Sequence, residues 1–207
     1  MFTYTFCVHN QPTAQRPTIP LPHNRRAAAK PTIRRASRSD VSQIFDLVTQ
    51  FSARGLMLPR TAEQIAAKID SYVVAADESG RVVACAALEE YSPSLGEVSS
   101  VAVAPSHHGE GLGTQVVLGV ERLARARDID ELFAMSLNEQ FFVGLSYTAT
   151  SISRYPEKLA RYDALSKAGV PIVPKTCFQK MLGKSWSAPR LVEKTTARAR
   201  GKKRMAG

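Results

Sequence analysis

From residue 32 to residue 182 the apolar positions follow two alternating periods, and each change of period marks an element. TIRRAS (32–37) predicts a short strand. Ser39 predicts the cap of a helix whose apolar residues Val41, Ile44, Phe45, Val48 and Phe51 recur at helical spacing, with Gly55 as its stop. Thr61-x-x-Gln64 is a capping box and opens a second helix through Ile65 and Ile69. Tyr72–Asp77 and Arg81–Tyr91 read as an antiparallel hairpin around Glu78-Ser79-Gly80. A fourth strand runs from Glu97 to Val103 and stops at Ala104-Pro105. After a glycine-bearing loop, Gly113–Arg127 predicts a helix with Val116, Val117, Val120, Leu123 and Ala124 facing inward. A strand at Glu131–Ser136, a short aromatic helix at Glu139–Leu145, a helix at Pro156–Lys167 and a last strand at Thr176–Leu182 complete the order. Strands and helices interleaved in this way predict an α/β domain: a mixed sheet with helices on both faces.

The flanks break the pattern. Residues 1–30 carry prolines at 12, 17, 20 and 22 without periodicity and read as a disordered leader, with organelle targeting as the minor alternative. Residues 31–185 form the domain, and 186–207 read as a basic disordered tail. The net charge of +10 resides in these flanks, because residues 31–187 hold equal numbers of basic and acidic side chains. The basic flanks therefore say little about the domain and read as solvated arms, with nucleic-acid contact unlikely.

No stretch approaches about 18 consecutive apolar residues, so a membrane-spanning helix is excluded. Three cysteines (Cys7, Cys85, Cys177) without a C-x-x-C pair speak against a disulfide framework and for a reducing, cytoplasmic compartment. Four histidines without ligand spacing predict no metal.

The chemistry concentrates where the fourth strand meets the following helix, in GEVSSVAVAPSHHGEGLG (96–113). Gly109, Gly111 and Gly113 let backbone N–H groups converge on an anion, and a helix N-terminus adds a favourable dipole, so a diphosphate fits. A P-loop needs a lysine after its glycines, and none stands here. A dinucleotide loop wants G-x-G-x-x-G directly after the strand, whereas these glycines begin well beyond it as G-x-G-x-G.

The residues His108-Gly109-Glu110-Gly111-Leu112-Gly113 resemble the Q/R-x-x-G-x-G/A pyrophosphate loop of the GNAT N-acetyltransferases, with His108 in place of the usual Gln or Arg. Within that family the chain looks most like short bacterial N-acetylglutamate synthases. That likeness rests on GLMLPR (55–60), VACAAL (83–88), the strand and loop above, and LFAMSLNEQFF (132–142). The family follows the aromatic helix with Gly-Phe, where this chain has Ser146-Tyr147.

The resemblance implies a GNAT-like twisted, mostly antiparallel sheet and direct transfer of acetyl from acetyl-CoA to the α-amine of L-glutamate, the first step of arginine biosynthesis. The backbone of Val101, Ala102 and Val103 would hold the pantetheine arm, and the span His108 to Thr114 the diphosphate. Asn138 and Phe141 would approach the CoA arm, with Phe142 beside them as core.

Glu97 has two readings, a base that deprotonates the amine or an exposed strand-end glutamate. Arg60 would bind a carboxylate of the acceptor. Arg154, Lys158 and Lys175 are candidates for the second carboxylate, and Tyr147 for protonating the departing thiolate. Cys85 and Cys177 read as core residues, and His107 stays unassigned. Two alternatives remain: a GNAT enzyme for another amine (an amino acid, a polyamine or a protein), or a non-catalytic acetyl-CoA-binding protein with nucleic-acid-contacting tails. A homodimer is possible.

Overall fold

A computed structural model describes residues 30–183. The expectations for the leader, up to residue 29, and for the whole of the basic tail lie outside the described residues. Seven strands form one sheet in the order β1-β2-β3-β4-β5-β7-β6: β1 Thr32–Arg35, β2 Tyr72–Ala76, β3 Val82–Ser92, β4 Leu95–Val103, β5 Glu131–Ser136, β6 Thr148–Thr150 and β7 Thr176–Met181. Every pairing is antiparallel except β4 with β5. Five helices accompany them: α1 Val41–Ser52, α2 Ala62–Ala67, α3 Leu112–Ala126, α4 Glu139–Gly144 and α5 Pro156–Lys167.

The two-residue side-chain period of the strands feeds two cores. Val73, Ala75, Ala84, Ala86 and Leu88 face one side, where α3 lays down Val116, Val117, Val120, Leu123 and Ala124. Tyr72, Val74, Val82, Cys85 and Ala87 face the other, under Ile44, Leu47 and Val48 of α1 and Ile65 of α2. All five residues of β2 are buried, as expected of a strand covered on both faces. The inward face expected of α3 is buried residue for residue, and each such Val or Leu contributes roughly 1.5–3 kcal/mol.

Gly119 lets α3 sit close to the sheet, since a Cβ there would lie 2.6 Å from Val73 Cγ1. The expected capping box of α2 is present: Gln64 N–H donates to Thr61 Oγ1 at 3.2 Å, and Thr61 N–H to Gln64 Oε1 at 3.1 Å.

Three local expectations change. Ser39 does not cap α1. A 3-10 turn, Arg38–Asp40, precedes that helix, and Ser37 N–H donates to Asp40 Oδ2 at 2.7 Å. Asp40 is the better anchor because Arg34 of β1 grips both its oxygens, at 2.7 and 2.9 Å, and locks the first strand to the helix start. The fourth strand begins at Leu95, two residues before Glu97, which makes Glu97 an interior strand residue. Finally β6, three residues on a sheet edge, is too short to show a period.

Two outcomes follow. Gly119→Ala is expected to lower stability by about 1–3 kcal/mol through overpacking against Val73, although alanine is the better helix former by up to ~1 kcal/mol; the midpoint of chemical denaturation reads this. The Asp40 carboxyl is pulled down to about 2, chiefly by its hydrogen bond from Arg34. A depressed carboxyl stabilises the fold above the unfolded-state value and loses that contribution as pH falls toward the folded one. Thermal melts of wild type and Asp40→Asn should therefore be far apart at pH 7 and converge between about pH 4 and 2.

Candidate active site

β4 and β5 pair through only three positions, Leu95↔Glu131, Gly96↔Leu132 and Glu97↔Phe133. Past Glu97 the two strands part. The cleft between them is lined by Val98–Val101 on one side and Met135–Asn138 on the other, with Leu56, Met57, Leu58 and Arg60 from the segment ahead of α2. The β4 wall is reshaped by a bulge. Cys85↔Ala102 and Ala87↔Ser99 are successive pairs of β3 with β4, so β4 carries one extra residue, and Ser100 takes φ +51° there. Beyond Glu97, β4 has no partner on its β5 side, which leaves strand-edge backbone groups turned toward the cleft.

The glycine loop lies at the end of β4. Gly109 and Gly111 adopt φ +84° and +74°, a region that side-chain-bearing residues avoid, and Gly111 is the N-cap of α3. A Cβ on Gly113 would come within 3.3 Å of the Phe141 ring, so this glycine lets the aromatic helix close on the start of α3. Leu112 is buried and pins the helix start into the core, while Thr114 is half-buried. His108 Nε2 lies 2.9 Å from Val103 O, where it donates to that carbonyl and folds back on β4. His107 Nδ1 is 3.1 Å from Glu110 Oε2.

Val101 lines the cleft, whereas the Ala102 side chain points into the α1 core and Val103 packs against the α3 core. Asn138 borders the cleft and also caps α4, accepting from Phe141 N–H at 3.1 Å.

Glu97 is buried at 3% exposure, and it is not an exposed strand-end residue. Its carboxylate accepts from Lys158 Nζ through both oxygens, at 2.6 and 2.8 Å, and from Tyr91 Oη at 2.8 Å. Lys158 is itself 3% exposed, and its ammonium lies 4.8 Å from the centre of the Tyr162 ring. Burial lowers the Lys158 ammonium below the usual lysine range, with Glu97 opposing the shift.

Arg60 pairs with Glu89 of β3 at 3.2 Å, and Lys68 and Arg161 of α5 pair with the same carboxylate. Lys175 donates to Leu56 O at 2.7 Å and lines the cleft, and burial and nearby Lys158 lower its ammonium. Of the three candidates for a second carboxylate, Lys175 is the one that lines the cleft without a carboxylate ion pair among the described residues. Lys158 is committed to Glu97, and Arg154 lies half exposed near Glu131 at 3.6 Å, away from the cleft lining.

The expected thiolate donor is corrected. Tyr147 is 2% exposed inside the α3 core beside Phe142, and it is not among the cleft-lining residues. Its hydroxyl makes no hydrogen bond of ordinary geometry among the described residues but lies beside the Glu121 carboxylate, and burial, with Glu121 adding to it, raises the phenol well above the usual tyrosine range. The turn before it explains the altered motif: Ser146 stands at φ +64°, a conformation that glycine adopts without strain. Cys85 is buried with its thiol pushed up to about 12 by desolvation, and Cys177 to about 11, so neither is a nucleophile. Sequence reasoning missed Tyr91, which donates to Glu97, Arg161, which pairs with Glu89, and Tyr162, which lines the cleft; none carries a motif, and tertiary packing alone brings them there.

A family model described as Acetyltransferase (GNAT) family matches residues 41–140. A protein of Chlorobaculum tepidum, named an uncharacterized N-acetyltransferase, is 31% identical over 134 residues, covering 65% of this chain and 86% of that protein. The chain belongs to the GNAT acetyltransferase family. As a GNAT protein it is an acyl-CoA-dependent N-acetyltransferase with acetyl-CoA as co-substrate.

The amino-acid acetyltransferase of Proteus mirabilis is 27% identical over 144 residues, covering 68% of this GNAT chain and 32% of the relative. The solved N-acetylglutamate synthase of Neisseria gonorrhoeae, complexed with coenzyme A and N-acetyl-glutamate, superimposes with TM-score 0.64 and 25% identity. That match covers 73% of this chain and 35% of the synthase. The chain thus spans about a third of these two longer proteins. No helix among the described residues is long and apolar enough to cross a membrane.

Because its hydroxyl lies off the cleft beside Glu121, Tyr147→Phe is expected to leave turnover within about twofold of wild type and to change stability by no more than about 1 kcal/mol. Steady-state thiol release and a thermal melt test both; a hundredfold loss of kcat would return Tyr147 to the reacting groups.

Proposed function

We propose that this GNAT enzyme transfers acetyl from acetyl-CoA to the α-amine of L-glutamate. The observation that carries the reading is the charge of the acceptor side. Arg60, Lys68, Lys158, Arg161 and Lys175 surround the cleft and the cavity beside it against two carboxylates, Glu89 and Glu97. In a domain whose formal charge sums to zero, this cationic excess selects for an anionic acceptor. Arg60 and Lys175 would take its carboxylates, the arginine through a bidentate pair. The likeness to proteins named amino-acid acetyltransferase and N-acetylglutamate synthase supports the same acceptor class.

On the donor side, amides from Gly109 to Thr114 at the start of α3 would hold the diphosphate. The unpaired edge of β4 from Val101 to Val103 would hold the pantetheine, with an N–H available to the thioester oxygen. Asn138 and Phe141 border this arm.

The acceptor enters as an ammonium, which cannot attack. Glu97 takes its proton, directly or through water, and the freed lone pair attacks the thioester carbonyl. A C–N bond forms, the C–S bond breaks, and CoA leaves as the thiolate. Of the two protons the nitrogen gives up, one reaches solvent through Glu97 and the other ends on the CoA sulfur. No covalent acyl-enzyme forms.

The test is acetyl-CoA turnover by thiol release across a panel of amino acids and polyamines. L-Glutamate is expected as the best acceptor. Lys175→Ala should raise its KM at least tenfold, the order of a lost charged hydrogen bond at about 1.5–3 kcal/mol, and Arg60→Ala by a smaller factor because Glu89 also holds the guanidinium, with the KM for acetyl-CoA unchanged in both. Turnover confined to cationic amines, or acetyl-CoA binding without turnover of any amine, would overturn the assignment.

A further inference from the structure

The sequence offers Lys158 as a candidate for the acceptor's second carboxylate, but the fold turns it onto Glu97. An ionised carboxylate has room for about four hydrogen bonds. Lys158 supplies two and Tyr91 a third, so Oε2 holds two donors and Oε1 one. The open acceptor position therefore belongs to Oε1, on a residue that lines the cleft. Both members of the pair are buried, and the register Glu97↔Phe133 puts the carboxylate at the point where β4 and β5 separate.

We propose that Lys158, assisted by Tyr91, is the positioning residue of the proton acceptor. It holds the Glu97 carboxylate so aimed that one Oε1 site stays free for the incoming ammonium or a bridging water. The proposal rests on the reading of Glu97 as the base. In the step it serves, an N–H bond of the ammonium breaks and an O–H bond forms on Glu97, with no further reactant.

The groups that face Glu97 come from several elements. Tyr91 lies on β3, Lys158, Arg161 and Tyr162 on α5, Lys175 ahead of β7 and Cys177 on β7. Arg60 lines the same cleft from the segment before α2. Of these, Lys158 and Tyr91 are the hydrogen-bond donors to Glu97. The remaining cations supply charge without fixing the carboxylate's orientation.

Full-length wild type, Lys158→Met, Lys158→Arg, Tyr91→Phe and Glu97→Gln are compared by pH profiles of kcat/KM with the acceptor that the panel identifies. Carboxyl 13C NMR follows the titration of Glu97 in parallel, independently of turnover. Removing a cation or a donor from a carboxylate makes ionisation harder. Lys158→Met should thus move the acid limb and the Glu97 resonance to higher pH and lower kcat at neutral pH by at least about tenfold. The KM for acetyl-CoA should stay within about twofold, because Lys158 contacts no part of the proposed donor arm.

Tyr91→Phe should shift both readouts less and in the same direction, and Lys158→Arg should recover part of the rate. If Lys158→Met does not fold, the arginine and Tyr91→Phe variants decide. A raised acceptor KM with an unmoved acid limb would make Lys158 an acceptor ligand and overturn the proposal. Lowered stability with unchanged profiles and resonances would reduce Lys158 to a structural role and overturn it equally. Full turnover by Glu97→Gln would instead sink the reading of Glu97 as base, a failure distinct from that of the positioning role.

Discussion

The buried ion pair between Glu97 and Lys158 is the constraint on which the cleft depends. α5 has little apolar surface to offer: among its residues only Lys158 is buried, and the helix meets the sheet through Lys158 on Glu97 and Arg161 on Glu89. Taking two charges out of water is costly, and the attraction offsets that cost only when the remaining hydrogen-bonding capacity is met. Tyr91 and the Tyr162 ring help to meet it here. Loss of one partner would leave the other buried and unpaired, a penalty on the order of 3–5 kcal/mol. The same contact that docks the helix therefore also holds the carboxylate proposed as the base, so a substitution at either position bears on both fold and proposed chemistry.

From that point the molecule divides its work between backbone and side chains. The donor side consists of strand edge and loop amides, with glycines at the positions where φ is positive or a Cβ would collide. Backbone groups cannot be altered by point substitution, and they suit a guest that stays the same, such as the diphosphate and pantetheine of CoA. The acceptor side proposed above draws on side chains from separate segments, Arg60 ahead of α2 and Lys175 before β7. Such an arrangement can change its charge and shape without disturbing the sheet, which places acceptor choice on elements that vary easily.

What can be read from the chain alone follows the same division. The face of α3, the capping box at Thr61 and Gln64 and the hairpin of β2 and β3 are local features, legible because their signals lie within a few residues. The glycine loop is legible for the same reason. Glu97 is visible as a candidate, but its burial is not, because the residue that covers it stands 61 positions later. Lys158 reads as a candidate for the acceptor's second carboxylate, and its pairing with Glu97 shows only when α5 is folded onto the sheet. Ser39 passes for the cap because Ser37, Ser39 and Asp40 all suit such a turn; Arg34, arriving from β1, selects Asp40. A motif position suggests chemistry for Tyr147, and the left-handed turn at Ser146 delivers its ring into the core instead.

Charge gives the last step. The whole chain carries +10 while the folded region balances to zero, so neither number describes the cleft. Local placement concentrates cations there, and Glu89 holds three of them in the unliganded protein. Arg60 is thus paired with Glu89 at 12% side-chain exposure. An acceptor carboxylate does not meet a bare guanidinium; it must share or replace a partner that is held in place by β3. The net gain is the difference between two charge-assisted contacts, smaller than either alone. On the other side, the arginine is pre-oriented and loses little side-chain freedom on binding. An uncharged acceptor has nothing to replace Glu89 with, and a cationic one is repelled by the remaining excess. The anionic preference proposed for this cleft therefore comes as much from what Glu89 denies to other amines as from what Arg60 grants to glutamate.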